Sequence, residues 1–207
     1  MPTDADLKER ARVLVQHMAN VGRIVYATPI SLARETFEHA LRTAGLILRE
    51  VDAEADVSRW TDETGDDLLV ALEREDLGVR IFEIRGPGAA ARAQKILEHV
   101  PFVPQSKLLR EAIDVGSPDA RKALLVLAHA VVVWDDDWTD LFLLHLAAPD
   151  PIARHDAVAS TFLAAIVAGV REPALELLRE ALKREKFPKL RDDIADAIAR
   201  LEGGASC

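Results

Sequence analysis

Apolar residues at positions 7, 11, 14, 18, 21 and 25 (Leu7, Ala11, Leu14, Met18, Val21, Val25) advance in steps of four and three. That spacing lays one apolar stripe along a helix over residues 4–26. Thr28 and Pro29 then form a cap and first-turn pair, after which Ala33, Phe37, Ala40, Leu41, Ala44, Leu48 and Val51 repeat the spacing. The pattern predicts an antiparallel helical hairpin over residues 4–51. Residues 52–67 are acidic and polar apart from Val57 and Trp60, and they carry Gly65, so a junction falls there.

Beyond the junction the pattern is set by arginine. Arg80, Arg121, Arg154 and Arg191 recur at intervals of 41, 33 and 37 residues, the last three as Pro-x-x-Arg. Self-similarity at such a period marks stacked helix pairs. Leu108, Leu141 and Leu178 precede their arginines by 13 positions and Leu68 by 12. Leu124 and Leu125, Ala157 and Val158, and Ile194 and Ala195 follow at the third and fourth positions, whereas the first copy has Glu83 and Ile84. Arg85-Gly86-Pro87-Gly88 interrupts that copy, because Gly and Pro both disfavour a helix interior, and residues 89–100 then read as an extra helix. Residues 79–84 are the only stretch with the makings of a strand. The expectation is an all-α chain: a helical hairpin or capping unit over 1–60, helix-pair repeats over 61–203 and a flexible tail over 204–207.

Residues 66–202 resemble HEAT repeats on these turns. Asp150-Pro151-Ile152-Ala153-Arg154 carries the full Asp-Pro-x-x-Arg turn and Ser117-Pro118-Asp119-Ala120-Arg121 comes near it, while Phe187-Pro188-Lys189-Leu190-Arg191 lacks the polar cap and Asp76-Leu77-Gly78-Val79-Arg80 lacks the proline. The resemblance implies a short right-handed α-solenoid in which Arg80, Arg121, Arg154 and Arg191 form a structural ladder between turns. It also implies a non-catalytic scaffold or adaptor whose partner is another protein. Two other helical-repeat groups, alkyl-purine DNA glycosylases and phycobilin lyases, supply the alternative of an enzyme or ligand carrier.

Charge narrows the choice. The chain has 35 acidic and 26 basic residues among 207, a net of −9, which opposes nucleic-acid binding and suits a basic or mixed protein surface. The apolar share is 49% but aromatics make only 5%, as fits helices rich in Ala and Leu. Residues 124–134 form the most apolar stretch, too short to span a bilayer, and the amino terminus is acidic, so a soluble cytoplasmic protein without membrane contact is expected. The single cysteine, Cys207, excludes an intrachain disulfide.

Candidate chemistry concentrates at Trp134-Asp135-Asp136-Asp137-Trp138, where three carboxylates lie between two tryptophans. One reading makes it a partner-binding loop with aromatic anchors; the other makes the tryptophans core and the aspartates helix-terminal caps. Lys183, Arg184, Lys186, Lys189 and Arg191 form a basic cluster that complements a helix C-terminus. Glu38-His39, Glu98-His99 and His155-Asp156 fall at different places in their units, so no metal site is expected. With no phosphate-binding glycine loop and no nucleophile motif, neither cofactor nor catalytic residue is assigned.

Overall fold

A computed structural model describes residues 23–131 and 133–203. Most of the first predicted helix, over 4–26, and the predicted tail over 204–207 with Cys207 lie outside the described residues. The chain forms two compact units that divide between Ser106 and Lys107.

The first unit overturns the all-α expectation, because it is built on a sheet. Arg23–Pro29 is a strand, β1, rich in β-branched and aromatic side chains that prefer a pleated surface. Helix α1 (Arg34–Thr43) follows, then strands β2 (Ile47–Asp52), β3 (Val57–Thr61), β4 (Leu68–Arg74) and β5 (Val79–Arg85), and helix α2 (Ala89–Leu97). All neighbouring strands are antiparallel, in the order β1-β5-β4-β3-β2. Phe37, Ala40 and Leu41 of α1, with Ala93 and Ile96 of α2, pack with Ile24, Trp60, Leu69, Phe82 and Ile84 of the strands in one core. The predicted helical hairpin is therefore replaced by strand, helix and strand, and the first putative repeat by the β4–β5 hairpin. Gly78 closes that hairpin at φ 68°, a left-handed position that suits glycine.

Gly86 and Gly88, read above as a helix break, have a more specific cause. Asp67 is almost wholly buried and accepts from the Gly88 amide at 2.8 Å and from Arg92 Nε at 2.5 Å. Arg92 also donates to Asp62 at 3.0 Å and to the Ala44 carbonyl at 2.8 Å, which ties the β3–β4 connection to both helices. A Cβ on Gly88 would sit 2.2 Å from Asp67 Oδ2. Gly88→Ala should thus cost about 1–3 kcal/mol, the scale of overpacking. Chemical denaturation checks this as a cycle: in an Asp67→Ala background the same change should cost clearly less, and equal costs in both backgrounds would rule the clash out.

The second unit is helical throughout its described residues: α3 (Gln105–Ile113, which begins at the division), α4 (Pro118–Ala128), α5 (Asp136–Leu146), α6 (Pro151–Ala168), α7 (Glu172–Arg184) and α8 (Pro188–Glu202). The starts of α4 and α6 follow from their sequence: Ser117 and Asp150 accept from the amides of Asp119 and Ile152, and proline occupies the first turn, where its missing N–H is not needed. α8 also opens on proline but without a side-chain cap. Arg80 lies on β5 instead, so the period that joined it to the other three arginines does not correspond to a structural repeat. A HEAT-like solenoid over residues 66–202 is overturned with it. The fold class is α/β.

Candidate functional site

The four arginines have separate tasks. Arg80 is buried in the first unit, where it lies over the Phe37 ring at 4.7 Å and binds Glu73 at 2.8 Å. In the second unit Arg121, in the first turns of α4, pairs with Asp156 of α6 through Nε at 2.6 Å. Arg154, one turn into α6, makes two parallel bonds to Glu185, Nε to Oε2 at 2.7 Å and Nη2 to Oε1 at 3.1 Å, while its Nη1 donates to the carbonyls of Ala148 and Pro149. Arg191 donates to the carbonyls of Leu182 and Glu185 at 2.9 and 2.8 Å, so it satisfies acceptors at the end of α7. The last three hold turns of the helical unit together, and Arg80 belongs to the sheet.

Glu185 is the hub of this cluster. Its carboxylate is 5% exposed and also accepts from the amides of Lys186 and Phe187, both at 2.9 Å. The bond from Arg154 holds its pKa down to about 2 against the opposing effect of burial, and the two amides add to the lowering. One buried carboxylate therefore fixes the short segment between α7 and α8 and sets the direction in which Lys186 and Phe187 project.

That segment borders a groove of about 310 Å³. Leu143, Leu146 and Ala147, from the end of α5 and its cap, form one wall, and Leu177 and Ala181 of α7 form the other. The Arg154–Glu185 pair lies within it, and Arg184 and Lys186 stand at its lip. Leu143 is 39% exposed, and Phe187, next to Lys186, is 57% exposed. Glu180 binds both Lys183 at 3.2 Å and Arg184 at 2.7 Å, whereas Lys186 and Lys189 have no carboxylate partner among the described residues. Such a surface can take up an apolar side chain and offer cations beside it.

The Trp-Asp-Asp-Asp-Trp segment is arranged differently from a binding loop. Asp135 is the N-cap of α5 and accepts from the Trp138 amide at 3.1 Å. Asp136 and Asp137 occupy the first helical turn, where the dipole favours negative charge. Trp138 is 2% exposed and stacks on Phe142 with centroids 6.2 Å apart. Trp134 lies 5.2 Å from the same ring and its Nε1 donates to Thr139 at 2.9 Å. The two tryptophans are turned toward the helix, which leaves Trp138 unable to serve as a surface anchor.

His145, at the other end of α5, is fully buried, with Nε2 2.6 Å from the Ala112 carbonyl. Burial pushes its pKa down, only partly offset by that bond, so the ring is neutral and Nε2 donates. Among the described residues there is no cluster of three or more metal-ligating side chains, and no helix is long and apolar enough to cross a membrane.

The groove was not legible as a site. Its cations were visible as a cluster, but the apolar walls come from helices far apart in sequence, and Glu185 between Arg184 and Lys186 reads as one more solvated charge. No family model, curated protein or solved structure matches this chain.

Proposed function

We propose that the protein is a non-catalytic binding module that holds a segment of another protein in the groove between α5 and α7. The observation that carries this reading is an exposed apolar trough with a preset rim: Leu143 stands open to solvent beside a turn locked by the buried Glu185 carboxylate. Preorganised contact surface binds at lower entropic cost than surface that must be ordered on contact. The volume is at the small end of ligand pockets, about 300–1,000 Å³, which suits one or two inserted side chains. A reducing cytoplasmic setting belongs to the same reading, since a single cysteine offers no internal cross-link.

Leu143→Arg fills the trough with a charge while leaving the core of α5 in place. Proteins cross-linked to the wild type in a lysate of the source organism and lost with Leu143→Arg, at unchanged helical circular dichroism, would be the groove's partners. An identical set recovered with both proteins would remove the groove from the function.

A further inference from the structure

We infer that the groove takes a short acidic peptide segment, which inserts a bulky apolar side chain between α5 and α7 and sets its carboxylates against Lys186 and Lys189. This deepens the protein-binding reading above and rests on it.

Charge supplies the first argument. The chain carries a net of −9, yet the segment from Lys183 to Lys189 holds Lys183, Arg184, Lys186 and Lys189 against Glu185 alone. Glu185 is spent on Arg154 inside the protein, and Glu180 already serves Lys183 and Arg184. Within this segment Lys186 and Lys189 thus remain the cations without a counter-charge, Lys186 at the groove's lip and Lys189 three residues on, in the first turn of α8. A carboxylate arriving there meets two uncommitted ammonium groups, whereas a basic segment meets like charge.

Shape supplies the second argument. Phe187 lies between these lysines in sequence and, among the described residues, is the most exposed of the large apolar ones at 57%. Its amide is held by Glu185, so it stands on a fixed turn next in sequence to Lys186, which lines the trough with Leu143 and Leu177. Exposed aromatic surface beside a small apolar recess is the setting of an interface hot spot, in which one anchor enters and the charges around it choose the partner. An anionic lipid surface would also be drawn to the lysines, but it has no use for a recess walled by two helices.

The test is selection of randomised twelve-residue peptides displayed on phage against the full-length protein. Enriched sequences are then made synthetically and measured by fluorescence anisotropy against wild type, Leu143→Arg and the double variant Lys186→Glu/Lys189→Glu. The double variant changes only exposed side chains and so keeps the test open should Leu143→Arg fold poorly. We expect enriched peptides to place Asp or Glu beside Leu, Met or Phe. Both variants should weaken their binding by about tenfold or more, and the affinity should fall as ionic strength rises. Peptides that depend on Leu143 but are basic or uncharged would overturn the acidic assignment and leave the groove reading standing. Peptides indifferent to both variants, or none enriched, would overturn both. Lysine-dependent cosedimentation with phosphatidylserine vesicles, without groove-dependent peptides, would assign the patch to membranes and overturn the proposal as well.

Discussion

Trp138→Ala lowers the stability of the helical unit by about 3–5 kcal/mol, the scale expected for emptying the site of a large buried aromatic. The ring is 2% exposed and stacks on Phe142, which itself touches Trp134, so its removal leaves a void against the central ring of a three-ring cluster. Changing Asp135, Asp136 and Asp137 together to asparagine should cost far less, about 1 kcal/mol or below. Asparagine still caps at position 135, and the loss of charge in the first turn weakens the interaction with the helix dipole. Urea denaturation of the two variants checks the contrast. A melting curve unchanged by Trp138→Ala would mean that the ring is not part of the core.

Arg154→Ala is the second large effect, about 3 kcal/mol at neutral pH, because it strands a carboxylate that is only 5% exposed. The pH dependence identifies the cause. Glu185 has a folded-state pKa of about 2, below its ordinary value of 4.5, so between these values the unfolded chain binds the proton and the native protein does not. The stabilisation is therefore full above pH 4.5 and is lost as pH falls toward 2, amounting to about 3 kcal/mol in all. Unfolding free energies of wild type and Arg154→Ala should converge on acidification, and Glu185→Gln should flatten the acid limb. Parallel curves across that window would show that Arg154 stabilises through its carbonyl bonds to Ala148 and Pro149 and not through the ion pair.

What was legible in the sequence was local. Ser117-Pro118 and Asp150-Pro151 open helices because cap and first-turn chemistry act within a few residues. The period that tied them to Arg80 was coincidence of spacing, for Arg80 sits on a strand opposite Glu73. Residues 47–52 show the failure most clearly. Leu48 and Val51 stand three apart, a helical interval, but they belong to a strand. Arg49 is an extra residue in a bulge, so Leu48 pairs with Trp60 and Val51 with Ser58, two positions on one face of β3. In β1, Ile24 and Ala27 are both buried although they lie on opposite faces, and a strand covered on both sides loses the alternation that would have revealed it. The candidate site escaped for a different reason: charge clusters are visible in sequence, but the meeting of α5 with α7 is a tertiary fact.

The strand order carries a consequence for how the protein is made. β2, β3 and β4 each pair with the strand that follows them along the chain, so these hairpins can close as they emerge during synthesis. β1 has only β5 as a partner, and Arg23 must wait for Arg85. Closing so long a loop is slow compared with forming a hairpin, and at about 5–20 residues per second β1 stays unpaired for seconds on the ribosome. During that interval an apolar strand with free edges is exposed on the nascent chain, so β1 is the segment where a destabilising change would first appear as insoluble protein.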